Sequence, residues 1–354
     1  MTGRVKGRGT GQNEVGRFER LSYEAVDDGW GVDDGELEVR RTDVTDETVT
    51  KVVTRNSSPD VPFDRSVNPY RGCEHGCIYC FARPSHAFLG LSPGLDFETR
   101  LIARPNAAQA LERALRRKGY TPDVLAIGTN TDAYQPIEKD RRIMRGILQV
   151  LQRFRHPVSV VTKGCLIERD IDILGDMAAD TLASASISVT TLDSKLARQM
   201  EPRVPSPARR LKTIERLAVA GIPVRISVSP LIPGLTDHEL EAILQAGRDA
   251  GATAASTINL RLPGEVSDLF QDWLARDVPG QADKVMRRVR QAHGGRDYDA
   301  TFGHRMRGTG PHAELMRQRF RSVCKRIGLA EHLPRLRNDL FMRPAQAGDQ
   351  LSLF

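Results

Sequence analysis

The sequence predicts an α/β protein: a partial parallel barrel of six βα units, (βα)6, with a helical C-terminal extension. Three observations favour this fold. Short β-branched runs alternate with longer amphipathic patterns along the middle of the chain. The strand candidates are apolar over most of their length, as strands covered on both faces are. The alternation ends after six units, short of the eight in a closed barrel.

Six strands are predicted from short runs of β-branched residues bounded by turn residues. They cover residues 66–71, 124–128, 158–162, 184–189, 224–229 and 254–260. A β-rich run at residues 48–54 precedes the break at Pro59 and predicts a further strand outside the barrel. In parallel βα folds the chemistry lies in the loops after the strands, so functional residues are expected there.

Helices are predicted between the strands from apolar residues at three- and four-residue spacing. They cover residues 107–118, 137–154, 170–177, 208–220 and 238–250. After residue 262 the alternation stops, and residues 313–327 form another amphipathic pattern that includes Cys324, which is expected in the core. The sequence thus predicts three regions: an N-terminal extension (1–60), the barrel core (61–262) and a mainly helical C-terminal region (263–354).

Both ends of the chain are predicted to be loose. Residues 1–20 are rich in Gly and Arg and poor in apolar residues, which is typical of a flexible tail. Acidic residues are frequent in the next 20 positions. Residues 343–354 are also expected to be loosely held. We therefore describe the N-terminal extension as flexible and acidic.

Composition favours a soluble, cytoplasmic protein without a membrane partner. No apolar stretch approaches the roughly 20 residues that a membrane span needs, and the N-terminus lacks a signal-peptide pattern. The net charge of +7 suggests a weak attraction to polyanions. The basic residues are scattered, so solvated helix faces are favoured over a nucleic-acid surface.

Three cysteines follow the first predicted barrel strand within eight residues: Cys73, Cys77 and Cys80. Gly72 and Gly76 allow the backbone angles that a short loop needs to wrap around a compact group. Thiolates are the usual ligands of iron–sulfur clusters. Three ligands would leave one iron of a four-iron cluster open to a substrate or cofactor.

Two other metal-binding interpretations are open. A zinc-stabilised binding module would need His75 or His86 as fourth ligand, but His75 lies between two of the cysteines. An iron–sulfur electron-transfer protein would need a fourth cysteine nearby, whereas Cys165 and Cys324 lie far along the chain. Both alternatives are less favoured than an open cluster.

The pattern Cys-x-x-x-Cys-x-aromatic-Cys, with Tyr79 at the aromatic position, resembles the signature of the radical S-adenosylmethionine (radical SAM) superfamily. The nearby segments are most similar to its spore photoproduct lyase-like branch. The resemblance implies a 4Fe-4S cluster on the three cysteines and S-adenosylmethionine as cofactor. It implies reductive cleavage of that cofactor to a 5′-deoxyadenosyl radical, with the electron supplied by a flavodoxin or ferredoxin-type reductant.

The resemblance also assigns cofactor-contacting residues by position. Thr131 and Asp132, after the second strand, resemble a segment that contacts the cofactor's amine, and Lys163 resembles a lysine that reaches its carboxylate. Three further residues complete the predicted cofactor set: Tyr79, Ser188 and Arg209. Arg209 pairs with the cofactor carboxylate in one interpretation and is simply exposed in the other.

Three features bear on the substrate. Thr129 stands where spore photoproduct lyase has a hydrogen-donating cysteine, so the lyase reaction itself is not predicted. Cys165 is a minor candidate for a redox or hydrogen-donor role. Residues 301–311 interleave glycines with basic residues and could cradle a phosphate or form a tight connection. Nucleic acid is one candidate substrate, and a small metabolite or peptide is the other.

Overall fold

Six parallel strands form the centre of the molecule. The structure, a computed structural model, describes residues 5–18 and 41–345. The parallel strands lie in the order β3-β6-β7-β8-β9-β10, and β2 extends the sheet antiparallel to β3. In chain order the described strands are Asp43–Asp46 (β1), Val53–Arg55 (β2), Arg65–Val67 (β3), Tyr70–Arg71 (β4), Arg100–Ala103 (β5), Leu125–Ile127 (β6), Val158–Thr162 (β7), Ala183–Ser188 (β8), Val224–Leu231 (β9) and Ala254–Asn259 (β10).

The predicted partial barrel of six parallel strands is confirmed, with two local differences. The strand predicted at residues 66–71 is two strands, because Pro69 has no N–H to donate and interrupts the run. The second piece, β4, joins β5 and β1 in a small separate sheet that the sequence did not predict. The run at residues 48–54 yields only β2.

Helices cover the outside of the barrel and form most of the C-terminal region. The described α-helices are Asp96–Thr99 (α1), Ala107–Leu115 (α2), Glu138–Arg141 (α3), Ile143–Arg153 (α4), Ile171–Ala179 (α5), Ser194–Met200 (α6), Pro207–Val219 (α7), Leu240–Asp249 (α8), Val266–Asp277 (α9), Ala282–Ala292 (α10) and Gly310–Ile327 (α11). None of the helices within residues 5–18 and 41–345 is long and apolar enough to cross a membrane.

The helix predicted at residues 137–154 is broken at Arg142. That residue adopts a left-handed conformation with φ 50°. The buried Glu138 carboxylate accepts hydrogen bonds from the backbone N–H groups of Ile143 and Met144, both at 3.1 Å. The first backbone N–H groups of a helix have no partner within the helix. The Glu138 carboxylate supplies that partner and so caps the start of α4.

The two faces of the barrel strands have different environments. Apolar residues of the outer face, such as Val158 and Val160, are fully buried against the helices. The alternate residues of β7, Ser159 and Val161, point to the inner face and are partly exposed. Serines occupy this inner face on β7–β10: Ser159, Ser184, Ser186, Ser188, Ser227 and Ser256.

The outer edge of the sheet at β10 is covered at both ends. Near its start, Ala255 N–H donates to Ala330, whose own N–H donates to Thr253, the residue just before the strand. At its end, Asn259 N–H donates to Met306. The Met342 N–H then donates to the Phe154 carbonyl, and the tail predicted to be loose is attached at Arg343 and Pro344. Residues 346–354 lie outside the described residues.

The prediction of a flexible N-terminus was wrong for residues 5–18. Arg8 and Thr10 are buried, and Gly9 packs so closely on the loop that carries the cysteines that a Cβ there would lie 2.0 Å from the Gly76 carbonyl oxygen. Composition could not predict this attachment, because hydrogen bonds hold the segment in place and it contains few apolar residues. The acidic stretch at residues 21–40 lies outside the described residues.

Candidate active site

The cysteine loop, residues 72–80, connects β4 to a 3-10 turn at Arg83–Leu89. Its sharp course depends on two glycines with positive φ, 76° at Gly72 and 65° at Gly76. A Cβ at Gly72 would lie 2.5 Å from Leu101, and one at Gly76 would lie 2.6 Å from the Glu98 carboxylate. Both glycines are therefore required by conformation and by space, as the sequence predicted.

The three thiols of this loop are free and largely enclosed. Cys73 and Cys77 are buried, and Cys80 is half-buried. Burial raises the pKa of all three thiols above the ordinary value. The positive charge of Lys163 acts in the opposite direction on Cys77 and Cys80, and a backbone N–H of Asp132 does so on Cys73.

This donor set fits an iron–sulfur cluster. Enclosed thiols with nearby backbone donors and cations suit an anionic metal–thiolate group, because bound metal deprotonates a coordinating thiol outright. Within residues 5–18 and 41–345, no three His, Cys, Asp or Glu side chains converge on a position for a single metal ion. A four-iron cluster does not require such convergence, since each thiolate binds a different iron.

Two residues of the next βα loop hold the loop around Cys73. Gln135 donates to the Gly72 carbonyl at 3.2 Å and accepts from the Glu74 N–H at 2.8 Å, so it binds the chain on both sides of the cysteine. Asp132 lies 3.3 Å from His75 Nδ1. The structure thus connects the loop after β4 to the loop after β6.

A buried ion pair holds the other side of the loop. Arg83 donates to the Cys77 carbonyl at 3.0 Å and to Glu98 at 2.6 Å, and both side chains are fully buried. The Glu98 carboxylate also accepts from the N–H groups of Gly9 and Thr10 at 2.9 and 3.1 Å. One carboxylate therefore joins the N-terminal segment to the cysteine loop.

Tyr79 leads into a second buried network. Its hydroxyl donates to Glu201 and lies 3.3 Å from Thr190. Arg210 donates to Glu201 at 2.7 Å and to the Ser188 carbonyl at 2.9 Å. Burial tends to raise the pKa of Glu201, but the charges of Arg210 and Lys163 and the hydrogen bonds from Tyr79 and Thr190 together lower that pKa. The network links the cysteine loop to the end of β8.

Lys163 projects from the end of β7 into the same region. Its ammonium lies 5.8 Å from the Tyr79 ring centroid and 3.3 Å from the Ser229 carbonyl oxygen. Among the described residues, no carboxylate forms an ion pair with it. A half-buried cation beside the thiols and lacking an acidic partner is suited to an anionic group.

The structure brings most of the predicted cofactor residues to this end of the barrel. Tyr79, Lys163 and Ser188 adjoin the cysteine loop or its network, and among described residues the Ser188 hydroxyl has no hydrogen-bond partner. Thr131 is also there, but its hydroxyl donates to the Tyr70 carbonyl at 2.9 Å. Asp132 accepts from Thr162 and from the Lys163 N–H at 2.6 and 2.7 Å. Both residues therefore already support the loops.

Arg209 already has a carboxylate partner. Its guanidinium pairs with Glu168 at 2.5 Å, and its side chain is 36% exposed. A pairing of Arg209 with the cofactor carboxylate stays a prediction. Cys165 begins the 3-10 turn Cys165–Asp170, two residues after Lys163, and its thiol is half-buried.

The glycine-rich segment at residues 301–311 is a connection held by an internal carboxylate. The Gly303 N–H and the Arg305 guanidinium both donate to the Asp60 carboxylate, at 2.6 and 2.5 Å. These two donors are therefore already engaged within the chain.

Sequence reasoning missed the side chains that position the site. These are Gln135, Glu201, Arg210, Arg83 and Glu98. One signal was available: helix α7 begins at Pro207, and a 3.6-residue period places Arg210 beside the apolar positions Ile214 and Leu217. An arginine on an apolar face needs a buried partner.

A comparison with protein-family models identifies the family of the chain that carries this site. A model described as the radical SAM superfamily matches residues 67–246, which include the cysteine loop and four of the six parallel strands in full. The chain belongs to the radical SAM superfamily. The match lies inside the core predicted at residues 61–262, although those boundaries themselves stay a prediction.

Relatives of this radical SAM chain occur in distant organisms. An uncharacterized protein of Mycobacterium tuberculosis strain H37Rv is 38% identical over 221 residues, which is 62% of this chain and 65% of the relative. The chain therefore spans less than two thirds of that relative's length. An uncharacterized protein of Methanocaldococcus jannaschii is 28% identical over 174 residues, 49% of this chain and 62% of the relative.

Solved structures of spore photoproduct lyase share the fold of this radical SAM chain. The lyase complexed with a dinucleoside spore photoproduct superposes with a TM-score of 0.57 at 12% identity, covering 81% of each chain. At this identity the likeness shows the fold alone. The expected family and its spore photoproduct lyase-like architecture are thus confirmed.

Proposed function

We propose that the chain is a radical SAM enzyme that holds a 4Fe-4S cluster on Cys73, Cys77 and Cys80. The observation that carries the proposal is the enclosed cysteine loop at the carboxyl end of the parallel strands, within the region that matches the superfamily. When bound, the reduced cluster supplies the electron that cleaves S-adenosylmethionine into methionine and a 5′-deoxyadenosyl radical.

The residues around the loop would bind and orient these groups. The Lys163 ammonium, which forms no ion pair among the described residues, would pair with the cofactor's carboxylate. The free Ser188 hydroxyl and the Tyr79 ring would line the cofactor site next to Lys163. Arg83, Glu98 and Gln135 would hold the loop rigid, because their hydrogen bonds fix its backbone on both sides of the cysteines.

Closure of the loop would limit access of water and oxygen. The N-terminal segment covers the loop at Gly76, and Arg276 donates to the Gly9 carbonyl at 3.4 Å. The required electron would come from outside the chain, and we propose a flavodoxin or ferredoxin-type reductant.

The first experiment is anaerobic cluster reconstitution of the full chain and of Cys77→Ala. We expect about four irons per chain in the wild type, an EPR signal that S-adenosylmethionine alters, and 5′-deoxyadenosine as product. Cys77→Ala should yield no 5′-deoxyadenosine, because the cluster would lose one of only three protein ligands. Cys165→Ala removes a half-buried thiol outside the loop and is the matched control.

Two results would contradict this function. One zinc and no iron per chain would indicate a zinc-stabilised binding module. A cluster whose EPR signal is indifferent to S-adenosylmethionine would indicate an electron-transfer protein.

We propose nucleic acid as the substrate class to test first, because cationic and aromatic groups adjoin the site. The Arg261 guanidinium lies 4.7 Å from the ring centroid of Phe81, the residue after Cys80, and 5.9 Å from that of Tyr298. Phe81 is 41% exposed. Exposed aromatic rings beside arginines are typical of surfaces on which bases stack.

Fluorescence anisotropy with single-stranded DNA and RNA tests this assignment. We expect binding that weakens steeply with salt, and a loss of about 1–3 kcal/mol of binding free energy in Phe81→Ala. Phe88→Ala, another exposed phenylalanine, should leave binding unchanged. Salt-insensitive or undetectable binding would favour a small metabolite or peptide as substrate.

A further inference from the structure

The inner face of the barrel differs from a packed barrel interior. Barrel interiors are normally filled by bulky branched side chains, whereas serines line this one on β7–β10. Inner-face residues such as Ser159 and Ser229 are partly exposed, while their outer-face neighbours are fully buried. Other serines of this face, such as Ser186 and Ser227, are buried, so the inner face is polar and accessible only in part.

Arg225 is the cation on this face of β9. The register pairs it with Ser186 on β8 and with Ala254 on β10, both small residues that leave space around a long side chain. Ser227 follows on the same strand face. Lys163 lies farther toward the carboxyl ends of the strands, near the cysteine loop.

Arg225 has no partner among the described residues. Its Nε is buried without a hydrogen bond, and no carboxylate forms an ion pair with its guanidinium there. Burial lowers the pKa of Arg225, and no neighbouring charge opposes that effect. Arg225 is half-buried, and it differs from the two fully buried arginines described above, since Arg83 is paired with Glu98 and Arg210 with Glu201.

Two hydroxyls nearby can donate to an anion. Among described residues, the Ser186 side chain makes no hydrogen bond. The Ser227 hydroxyl donates to Ser229 at 2.9 Å and accepts from Ser256 at 3.2 Å, so it would turn from Ser229 to a bound anion. A guanidinium flanked by hydroxyl donors matches the oxygens of a phosphate or carboxylate.

We propose that the inner face of the barrel binds an anionic group of the substrate, a phosphate or a carboxylate, through the Arg225 guanidinium and the Ser186 and Ser227 hydroxyls. The proposal rests on the proposed function, because it assigns this group to the substrate of the same barrel. The anion neutralises an otherwise unpaired cation, which explains why the chain keeps an arginine here.

Thermal unfolding of the reconstituted full chain tests this proposal. At constant ionic strength, inorganic phosphate or acetate should raise the wild-type Tm saturably, by about 3–6 °C at 100-fold excess over Kd. Arg225→Met should be at least as stable without anion and should show no anion-dependent rise. Arg287→Met, which removes an exposed arginine of α10, is the matched control and should respond as the wild type does.

The two anions separate the ligand chemistries. A rise with phosphate alone indicates a phosphate group, and a rise with acetate alone indicates a carboxylate. Arg225→Lys keeps the charge and should retain a weakened rise, which covers the case in which Arg225→Met does not fold. An undiminished rise in Arg225→Met, or no saturable rise in the wild type, overturns the proposal.

EPR distinguishes this site from the cofactor site. Arg225→Met should keep the change that S-adenosylmethionine causes in the cluster signal, and loss of that change would assign Arg225 to the cofactor and overturn the proposal. The anion measurements can also be made on the full chain without the cluster, because Arg225 and its serines lie on β8 and β9 and not in the cysteine loop. Failure of cluster assembly would therefore count against the proposed function while leaving the anion result readable.

Discussion

Adjacent arginines at the start of α7 have opposite environments. Arg209 is partly exposed and pairs with Glu168, which also binds Arg216. Arg210 is 1% exposed and joins Glu201 to the end of β8. One step along a helix rotates a side chain by about 100°, which is enough to move a guanidinium from the surface to the site.

This contrast predicts very different effects of the same substitution. Arg210→Met should lower the free energy of unfolding by about 3–5 kcal/mol, because it leaves the buried Glu201 carboxylate unpaired. Arg209→Met should cost about 0–1 kcal/mol, as for other surface ion pairs. Denaturant unfolding of both variants measures the difference.

A second readout separates positioning from stability. Arg210→Met should also weaken the effect of S-adenosylmethionine on the EPR signal, because Tyr79 and Ser188 lose their common support. Equal stability and equal cofactor response in the two variants would show that the Glu201 network does not position the site.

At the residue scale, the sequence alone predicts those site residues that belong to a recognisable motif. Cys73, Cys77 and Cys80, with the glycines of their loop, follow from spacing and backbone geometry. Arg210 and Gln135 were missed because their roles depend on contacts between loops that are distant in the sequence. The resemblance assigns Arg209, whereas the 3.6-residue period of α7 places Arg210 on the apolar face.

At the level of elements, the N-terminal segment and the cysteine loop act as one unit through Glu98. Glu98→Gln should release residues 5–18, because an amide NH2 group would face the N–H groups of Gly9 and Thr10 and leave Arg83 buried without a charge partner. We expect a loss of about 3 kcal/mol in unfolding free energy. Trypsin should then cleave after Arg8 faster than in the wild type.

Glu265, a second carboxylate that binds residues 5–18, provides the control for Glu98→Gln. Glu265 pairs with Arg17, whose side chain is 44% exposed, so Glu265→Gln should change stability by less than about 1 kcal/mol. If both variants retained iron and resisted trypsin equally, Glu98 would not be the link between the two segments.

Element prediction succeeded where hydrophobic periodicity was strong. The strand predicted at residues 158–162 is β7, and the other five barrel strands agree apart from their ends and the break at Pro69. The strands β1 and β5 were missed. They pair with each other across more than 50 residues of sequence, and short runs carry little periodicity to detect.

At the scale of the whole molecule, a buried histidine makes folding sensitive to acid. His156 is fully buried, its Nδ1–H donates to the Pro157 carbonyl at 3.0 Å, and its Nε2 accepts from the Tyr120 hydroxyl at 2.8 Å. Burial lowers the pKa of His156 to about 4 from an ordinary 6.5. The folded chain thus keeps a neutral imidazole at a pH where the unfolded chain binds a proton.

Stability should therefore fall as the pH drops from about 6.5 toward 4. The loss from this residue should be about 2 kcal/mol at pH 5, and His156→Gln should remove most of it. The measurement is the unfolding free energy at pH 7.5 and pH 5 for the wild type, His156→Gln and the exposed control His332→Gln. An unchanged pH dependence in His156→Gln would show that other groups control acid sensitivity.

The covered edge at β10 has a consequence for self-association. An open barrel ends in a strand whose free backbone groups could template the addition of a strand from another molecule. Here Ala330 and Met306 already bond to the two ends of β10. A chain truncated after α11 would lose the contact at Ala330, and we infer that it would aggregate through this strand while keeping its cysteine loop intact.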